Sequence, residues 1–262
     1  MVQRTEGICK LCGKKKLLTY EHVPPQNAFN SYSVKEYSAE TTLDMFTGKN
    51  NRMPWDFSGL PSMTNQRGEG GYYLCSECNN NTGAWYISEY VNLAKTFHNI
   101  IVQNNLKVGD LCSFHLNGIY PLRIIKAIMT MHCDINENCL GDERIREFLM
   151  NRESTDFNSE EYSVYIYMVS PNMRRISGLS YISYSNIGGV LLSEISSYPI
   201  GTILCIDKPD LFTPPGLLLS GFEKHGFSDR CEADVSGIPY LEINTLFPAD
   251  FRSKECFLNL QE

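Results

Sequence analysis

The amino-acid sequence predicts an α+β protein in two parts, and three observations support this fold class. Two Cys-x-x-Cys pairs lie in the first third of the chain. Apolar residues recur every three to four positions over residues 80–103, which is the period of an α-helix. From residue 162 onward, short β-branched and aromatic runs alternate with turn residues. We therefore expect one domain over residues 1–106 and a C-terminal α+β domain, rich in short strands, over residues 107–262.

Composition limits the classes of protein to consider. The chain has 262 residues, of which 42% are hydrophobic and 20% charged, as in ordinary globular proteins. It has no apolar run of membrane-spanning length and no apolar signal segment in MVQRTEGICK, so we expect a cytoplasmic protein that does not contact membranes. The net charge is −7, yet residues 1–52 carry eight Lys/Arg against five Asp/Glu. A basic segment on an acidic body predicts weak, salt-sensitive binding to nucleic acid.

The N-terminal part reads as two short strands separated by an insertion. LLTYEHV, over residues 17–23, is a strand that ends at Pro24 and Pro25. Residues 26–71 are rich in Asn, Ser, Thr and Gly without a clear period, which predicts a long and largely irregular insertion. GYYLC then forms the second strand, directly before the helix.

The C-terminal part begins with helices and continues as strands. YPLRIIKAIMTMHC predicts a buried helix with a proline in its first turn, and GDERIREFLMN predicts a short amphipathic helix. Four strands are predicted in YSVYIYMVS, GGVLLSEIS, GTILCID and GLLLSGF.

The two cysteine pairs, Cys9/Cys12 and Cys75/Cys78, predict a metal site. The two-residue spacer lets both sulfurs of a pair turn toward one ion, and four thiolates complete a tetrahedral zinc site. No coordination position remains open, so this zinc is expected to be structural. The other six cysteines stand singly and are expected to behave as small apolar residues.

A second set of polar residues lies between and just after the cysteine pairs. EHVPP follows the first pair, and LCSECNNNTG carries the second pair into the helix. In this order the motifs resemble the HNH endonucleases, which are ββα-metal nucleases. The resemblance covers residues 7–90 and is specific at both cysteine pairs and at EHVPP.

The resemblance implies a role for each matching residue. His22 matches the general base that takes a proton from the attacking water, and Glu21 matches an acidic ligand of a divalent cation. Asn79 matches the second ligand on the helix, with Asn80 as its substitute if the register slips by one. Hard oxygen ligands suit Mg²⁺ or Mn²⁺. Adjacent strand residues point to opposite faces, so the Glu21-His22 pair is expected at a strand end or bulge.

The sequence departs from the family pattern in two ways. The family has an asparagine shortly before the second cysteine pair, where it braces the loop that carries the histidine. Here those positions read GEGGYY, and the nearest candidate, Asn65, lies further upstream. The second departure is the long insertion, which is expected either to replace the brace or to shape substrate choice.

These observations lead to one principal function and two alternatives. The principal function is an HNH endonuclease that hydrolyses DNA, or RNA, in the manner of a bacterial antiviral-defence or restriction effector. The C-terminal domain would select substrate, bind a regulatory protein or form a homo-oligomer. Lys14, Lys15 and Lys16 either contact phosphate or form a solvated turn. The alternatives are an inactive, zinc-stapled nucleic-acid-binding module and a protein-interaction subunit.

Overall fold

The structure is a computed structural model that describes residues 5–46, 52–53, 55–244, 246–247 and 252–259. In chain order its strands are β1 (Thr5–Ile8), β2 (Lys15–His22), β3 (Val34–Glu36), β4 (Met63–Asn65), β5 (Gly70–Cys75), β6 (Leu111–Ile119), β7 (Tyr162–Val169), β8 (Arg175–Tyr184), β9 (Gly188–Ser197), β10 (Ile200–Ile206), β11 (Leu217–Leu218) and β12 (Cys231–Leu241). Its α-helices are α1 (Ala39–Phe46), α2 (Ser76–Thr82), α3 (Ser88–Gln103), α4 (Pro121–Ile135), α5 (Glu143–Met150) and α6 (Lys254–Asn259). This mixture of helices and sheets confirms the predicted α+β class. None of the described helices is long and apolar enough to cross a membrane.

The N-terminal sheet is antiparallel and has the order β1-β2-β5. The helix α2 follows β5 without a loop, and a π-helical turn over Gly83–Ile87 joins it to α3. One continuous helical segment therefore runs from Ser76 to Gln103. It begins four residues before the predicted start at residue 80, because the second cysteine pair is itself helical.

The insertion between β2 and β5 contains more regular structure than its composition predicts. β3 and β4 pair in an antiparallel ladder, and α1 lies between them in sequence. Residues 47–51 and 54 of the insertion lie outside the described part of the chain. The three-residue strands are too short to produce a recognisable alternation of apolar and polar residues, so the sequence gives little sign of them.

The C-terminal part is built on one large sheet with the order β6-β12-β7-β10-β9-β8, and β11 pairs with β7. All its pairings are antiparallel except that of β12 with β7. The predicted strands in YSVYIYMVS, GGVLLSEIS and GTILCID correspond to β7, β9 and β10, whereas GLLLSGF contributes only the two residues of β11. The two predicted helices correspond to α4 and α5.

The helix α4 links the two parts of the protein. Nearly all its residues are buried, and it packs against α3, against the turn before α3 and against strands of both sheets. A single cluster of buried apolar residues extends from Cys9 and Leu11, beside the first cysteine pair, to Tyr240 in β12. The N-terminal sheet therefore shares its core with the C-terminal sheet, and residues of the C-terminal part lie directly beside the predicted site.

Candidate metal centre and active site

The two cysteine pairs meet at one end of the N-terminal sheet. The Sγ atoms of Cys9, Cys12, Cys75 and Cys78 all lie within 4.8 Å of one another. A tetrahedral zinc ion with Zn–S bonds of about 2.3 Å places its sulfurs about 3.8 Å apart. Cys12 is half-buried and the other three are buried, so the site is closed to additional ligands. The donor set fits a structural zinc ion.

Local backbone geometry prepares these thiols for metal binding. Gly13 adopts φ 68°, a left-handed conformation that glycine adopts without strain, and its N–H donates to the Cys9 carbonyl over 2.8 Å. The Cys75 N–H donates to the Cys9 sulfur over 3.3 Å. A hydrogen bond with Cys78 lowers the pKa of Cys9 to about 4. Thiolate is the form that binds zinc, so this hydrogen bond favours metal binding by Cys9.

His22 is the last residue of β2, at the strand end that its predicted role requires. Its Nε2 lies 3.1 Å from the Arg67 carbonyl oxygen. A carbonyl oxygen only accepts hydrogen bonds, so Nε2–H donates, and in the neutral ring Nδ1 carries the lone pair. The ring also packs edge-to-face on Tyr20, with 5.1 Å between ring centroids. The imidazole is therefore held in one orientation and one tautomer.

Glu21 precedes His22 within the strand and is largely buried, and burial raises the pKa of its carboxyl to about 7. A further buried carboxyl lies nearby. Burial, followed by the negative charge of Glu21, raises the pKa of Asp134 on α4 well above its ordinary value. Its Oδ1 has no hydrogen-bond partner within the described part of the chain. Sequence reasoning missed Asp134, because nothing in α4 indicates which N-terminal residues it faces.

Asn79 lies on α2, against the N-terminal sheet. Its Nδ2 donates to the Thr19 Oγ1 over 3.0 Å, and its side chain is half-buried. The helix begins at Ser76, so Asn79 does not cap it. Asn80 is exposed to solvent. Of the two predicted helix ligands, the structure thus brings Asn79 to β2 and leaves Asn80 at the surface.

The arrangement of β2 divides the predicted catalytic residues between its two faces. Tyr20 and His22 share one face, as their ring contact shows, and alternation places Thr19 and Glu21 on the other. Asn79 contacts Thr19, so it lies on the Glu21 side. The described residues of β1 pair with residues 15–18 of β2, and Gly70 and Gly71 of β5 pair with His22 and Glu21.

Asn30, in the insertion, braces the loop after His22. It is fully buried, and its Nδ2 donates to the carbonyls of Pro24, over 2.6 Å, and Glu69, over 2.8 Å. The Glu69 N–H donates back to the Asn30 Oδ1 over 2.8 Å. Asn30 thus joins the loop after His22 to the residue that directly precedes β5. The only signal of this contact in the sequence was an asparagine eight residues after the histidine.

Asn65 contacts residues beside the histidine, although in the sequence it lies further upstream of the second cysteine pair than the family asparagine does. Its Nδ2 donates to the Tyr20 hydroxyl over 3.3 Å, and its Oδ1 accepts from the Arg67 N–H over 3.2 Å. Arg67 is the residue whose carbonyl holds the His22 ring. Two asparagines of the insertion therefore contact the residues around the histidine: Asn30 binds Pro24 and Glu69, and Asn65 binds Tyr20 and Arg67.

The three lysines beside the first cysteine pair differ in their surroundings. Lys14 and Lys15 are exposed, whereas the Lys16 ammonium forms an ion pair with Glu77 over 2.8 Å. That pair joins β2 to α2 beside the cysteine cluster. Lys14 and Lys15 are the better placed of the three to meet a ligand in solution.

Neither a protein-family model, nor a curated protein, nor a solved structure matches this chain.

Proposed function

We propose that the protein is a metal-dependent endonuclease of the HNH type that hydrolyses phosphodiester bonds of DNA. The observation that carries the proposal is the convergence of the four cysteines. It joins β2, β5 and α2 into a strand–strand–helix unit stapled at one end. The same unit presents Glu21 and His22 at the end of β2 and Asn79 on the helix. This is the order along the chain that the HNH resemblance implies.

Each residue has a role that suits its surroundings. The Glu21 carboxylate and the Asn79 Oδ1 are hard oxygen donors on the same side of β2, and together they would hold Mg²⁺ or Mn²⁺. The Asn79 Nδ2 is engaged by Thr19, which leaves its carbonyl oxygen to face the ion. When bound, the cation would neutralise charge on the phosphate and on the departing oxygen. Cys9, Cys12, Cys75 and Cys78 would hold a structural zinc ion that takes no part in this chemistry.

His22 acts as the general base in this proposal. Its Nε2–H is held by the Arg67 carbonyl, so Nδ1 is the atom that accepts the proton of the attacking water. The side chains of Glu21 and His22 point to opposite faces of β2. A single phosphate must therefore contact both side chains around the edge or the end of the strand. We place that approach at the end of β2, where His22 is the last residue of the strand.

Broader aspects of the function follow by analogy. We propose that the protein is cytoplasmic and works as a bacterial defence or restriction-like effector. Residues 107–262 would then restrain the nuclease, choose its substrate or join two copies. The local charge of residues 1–52 against a net charge of −7 fits an enzyme that binds nucleic acid weakly until a partner arrives.

A plasmid-cleavage assay tests the proposal. Supercoiled DNA, and a structured RNA in parallel, are incubated with purified protein and Mg²⁺ or Mn²⁺, with and without EDTA. We expect cation-dependent cutting that His22→Ala lowers by about 10²- to 10⁴-fold, the usual contribution of a general base. His115→Ala serves as the matched control, because His115 lies on the exposed face of β6 beside Asp234. Wild-type protein that leaves both substrates intact, or cutting that survives His22→Ala, would refute the proposal.

A second candidate is a zinc-stapled binding module without catalytic activity. The placement of His22 on the face of β2 opposite to Glu21 and Asn79 favours it. This candidate predicts salt-dependent DNA binding that Lys14→Glu and Lys15→Glu weaken, together with no cleavage at any cation concentration. Mobility-shift titrations over a range of salt concentrations distinguish it from a protein-interaction subunit, which would not bind DNA.

A further inference from the structure

We infer that Arg174, in the C-terminal part of the chain, is a positioning residue for the general base His22. It acts through Asn30 and the two loop segments that Asn30 joins. The inference rests on the proposed nuclease function for its catalytic consequence, but its structural content can be measured independently. It also gives residues 107–262 a defined role, which is to complete the hydrogen bonds of the loop after His22, called the histidine loop below.

The first step is that the Asn30 side chain uses its full hydrogen-bonding capacity. Two donor hydrogens on Nδ2 go to the carbonyls of Pro24 and Glu69, and Oδ1 accepts from the Glu69 N–H. The remaining lone pair of Oδ1 accepts from the Arg174 Nη1 over 2.9 Å. A side-chain amide offers two donors and two lone pairs, so Arg174 provides the fourth and last contact.

The second step is that Arg174 is built into the interface. Its side chain is 15% exposed, and its Nη2 donates to the Phe29 carbonyl over 3.0 Å. The Glu69 Oε2 lies 3.9 Å from Nη1, which adds an ion pair to the same fork. Two hydrogen-bond acceptors and one carboxylate therefore surround one guanidinium. A lysine, with a single compact ammonium, does not reproduce the paired contacts to Asn30 and Phe29.

Phe29 is itself held in an unusual conformation. Its φ is 66°, a left-handed value that bulky residues rarely adopt. Its ring packs against both His98 and Tyr198, with ring centroids 4.6 and 5.5 Å away. The His98 Nδ1 is 2.6 Å from the Tyr198 hydroxyl. This packing fixes Phe29 so that its carbonyl points to Arg174, and such strain persists only where surroundings enforce it.

The third step connects the contacts among Arg174, Asn30 and Phe29, called the clamp below, to the imidazole of His22. Asn30 holds Glu69, whose carbonyl also accepts from the Val23 N–H over 3.1 Å, so the residue after His22 is fixed. Gly68 packs directly on Asn30, since a Cβ at Gly68 would lie 2.2 Å from the Asn30 carbonyl oxygen. The neighbouring Arg67 carbonyl is the acceptor that orients His22. Loss of Arg174 therefore loosens both the backbone of His22 and the group that sets its tautomer.

The experiment compares Arg174→Met and Arg174→Lys with the control Arg123→Met in the full chain. Arg123 is also partly buried and also donates to a backbone carbonyl, that of Phe227, but it lies on α4 away from the histidine loop. Two quantities are measured. One is the fraction of His22 in the Nε2–H tautomer, by ¹⁵N NMR of histidine-labelled protein, with His22→Ala to assign the signal. The other is kcat and KM for plasmid cleavage.

We expect Arg174→Met to mix the two His22 tautomers and to lower kcat by about 10- to 100-fold, because small misplacements of a catalytic group have effects of that size. KM should change by less than about twofold, and Arg174→Lys should fall between Met and wild type. Arg123→Met should leave the His22 tautomer and kcat unchanged, even if it lowers the melting temperature as much as Arg174→Met does.

Several outcomes decide the matter. If Arg174→Met melts earlier but keeps the wild-type tautomer and kcat, the inference is overturned. It is also overturned if Arg123→Met disturbs His22 equally, since the effect would then be general softening. If the wild-type protein cleaves nothing but Arg174→Met still mixes the His22 tautomers, the positioning role stands and the proposed nuclease function fails. If Arg174→Met does not fold, Arg174→Lys is judged by the same criteria.

Discussion

Removal of the metal from the cysteine cluster should unfold the N-terminal sheet while leaving the C-terminal sheet folded. The perturbation is Cys78→Ser, or prolonged chelation of the wild-type protein. Cys78 is buried on α2, and all four sulfurs lie within 4.8 Å of one another, so the loss of one ligand affects the whole cluster. Binding of structural zinc contributes about 10–16 kcal/mol in small zinc modules. A whole domain is stable by only about 5–15 kcal/mol, so the stapled sheet should not persist without its ion.

Hydrogen exchange measured by mass spectrometry locates the effect. We expect peptides from β1, β2, β5 and α2 to lose protection, while those from β7, β9 and β10 keep it. Cys205→Ala is the matched control, because Cys205 is an equally buried single thiol in β10 with no partner in the cluster. It should cost on the order of 1 kcal/mol, as ordinary core substitutions do. Purified protein with far less than one zinc per chain, or Cys78→Ser behaving like Cys205→Ala, would refute the reasoning.

Three further predictions concern α4. Lys126→Met should lower the free energy of unfolding by about 1–3 kcal/mol in urea titrations, since three carbonyls at the end of α5 lose their shared donor. Burial lowers the pKa of His132 from 6.5 to about 3. Between these two pH values the unfolded chain binds a proton at His132 and the folded chain does not. Stability should therefore fall as pH decreases through that window, and His132→Gln, which weakens contacts to Ser193 and Thr202, should remove the dependence in urea titrations at several pH values. The pKa of Asp134 is raised by burial, so above pH 3.8 the folded chain keeps a proton that the unfolded chain releases. The free energy of unfolding should therefore fall as pH rises through this range. In urea titrations at pH 8, Asp134→Asn should be more stable than wild type. If Asp134→Asn were less stable than wild type at pH 8, the ionised Asp134 carboxylate would stabilise the fold and the prediction would be wrong.

Local features of the sequence predicted much of this architecture. The cysteine spacing indicated a common site, and the four sulfurs do cluster. Helical periodicity located α3, α4 and α5, and dense β-branched runs located β7, β9 and β10. These features succeed because each is encoded within a few consecutive residues. The strands β6, β8 and β12 were missed, since they contain polar and glycine residues that dilute the alternation.

The predicted site residues depend on contacts that no local pattern reveals. His22 and Asn79 were identified from motifs, whereas the partners that position them were not. Asn30, Asp134 and Arg174 reach the site through the tertiary fold, from an irregular loop, a buried helix and a strand boundary respectively. A single sequence shows what these residues are but not which distant atoms they face.

The clamp on the histidine loop also sets an order of events during synthesis. Arg174 lies 144 residues after Asn30, so about two thirds of the chain must leave the ribosome before the guanidinium can reach its acceptors. Domains usually fold from the N-terminus as they emerge. The unit formed by β1, β2, β5 and α2 would thus spend much of translation without this contact to the loop after His22, and chains truncated before Arg174 would never make it.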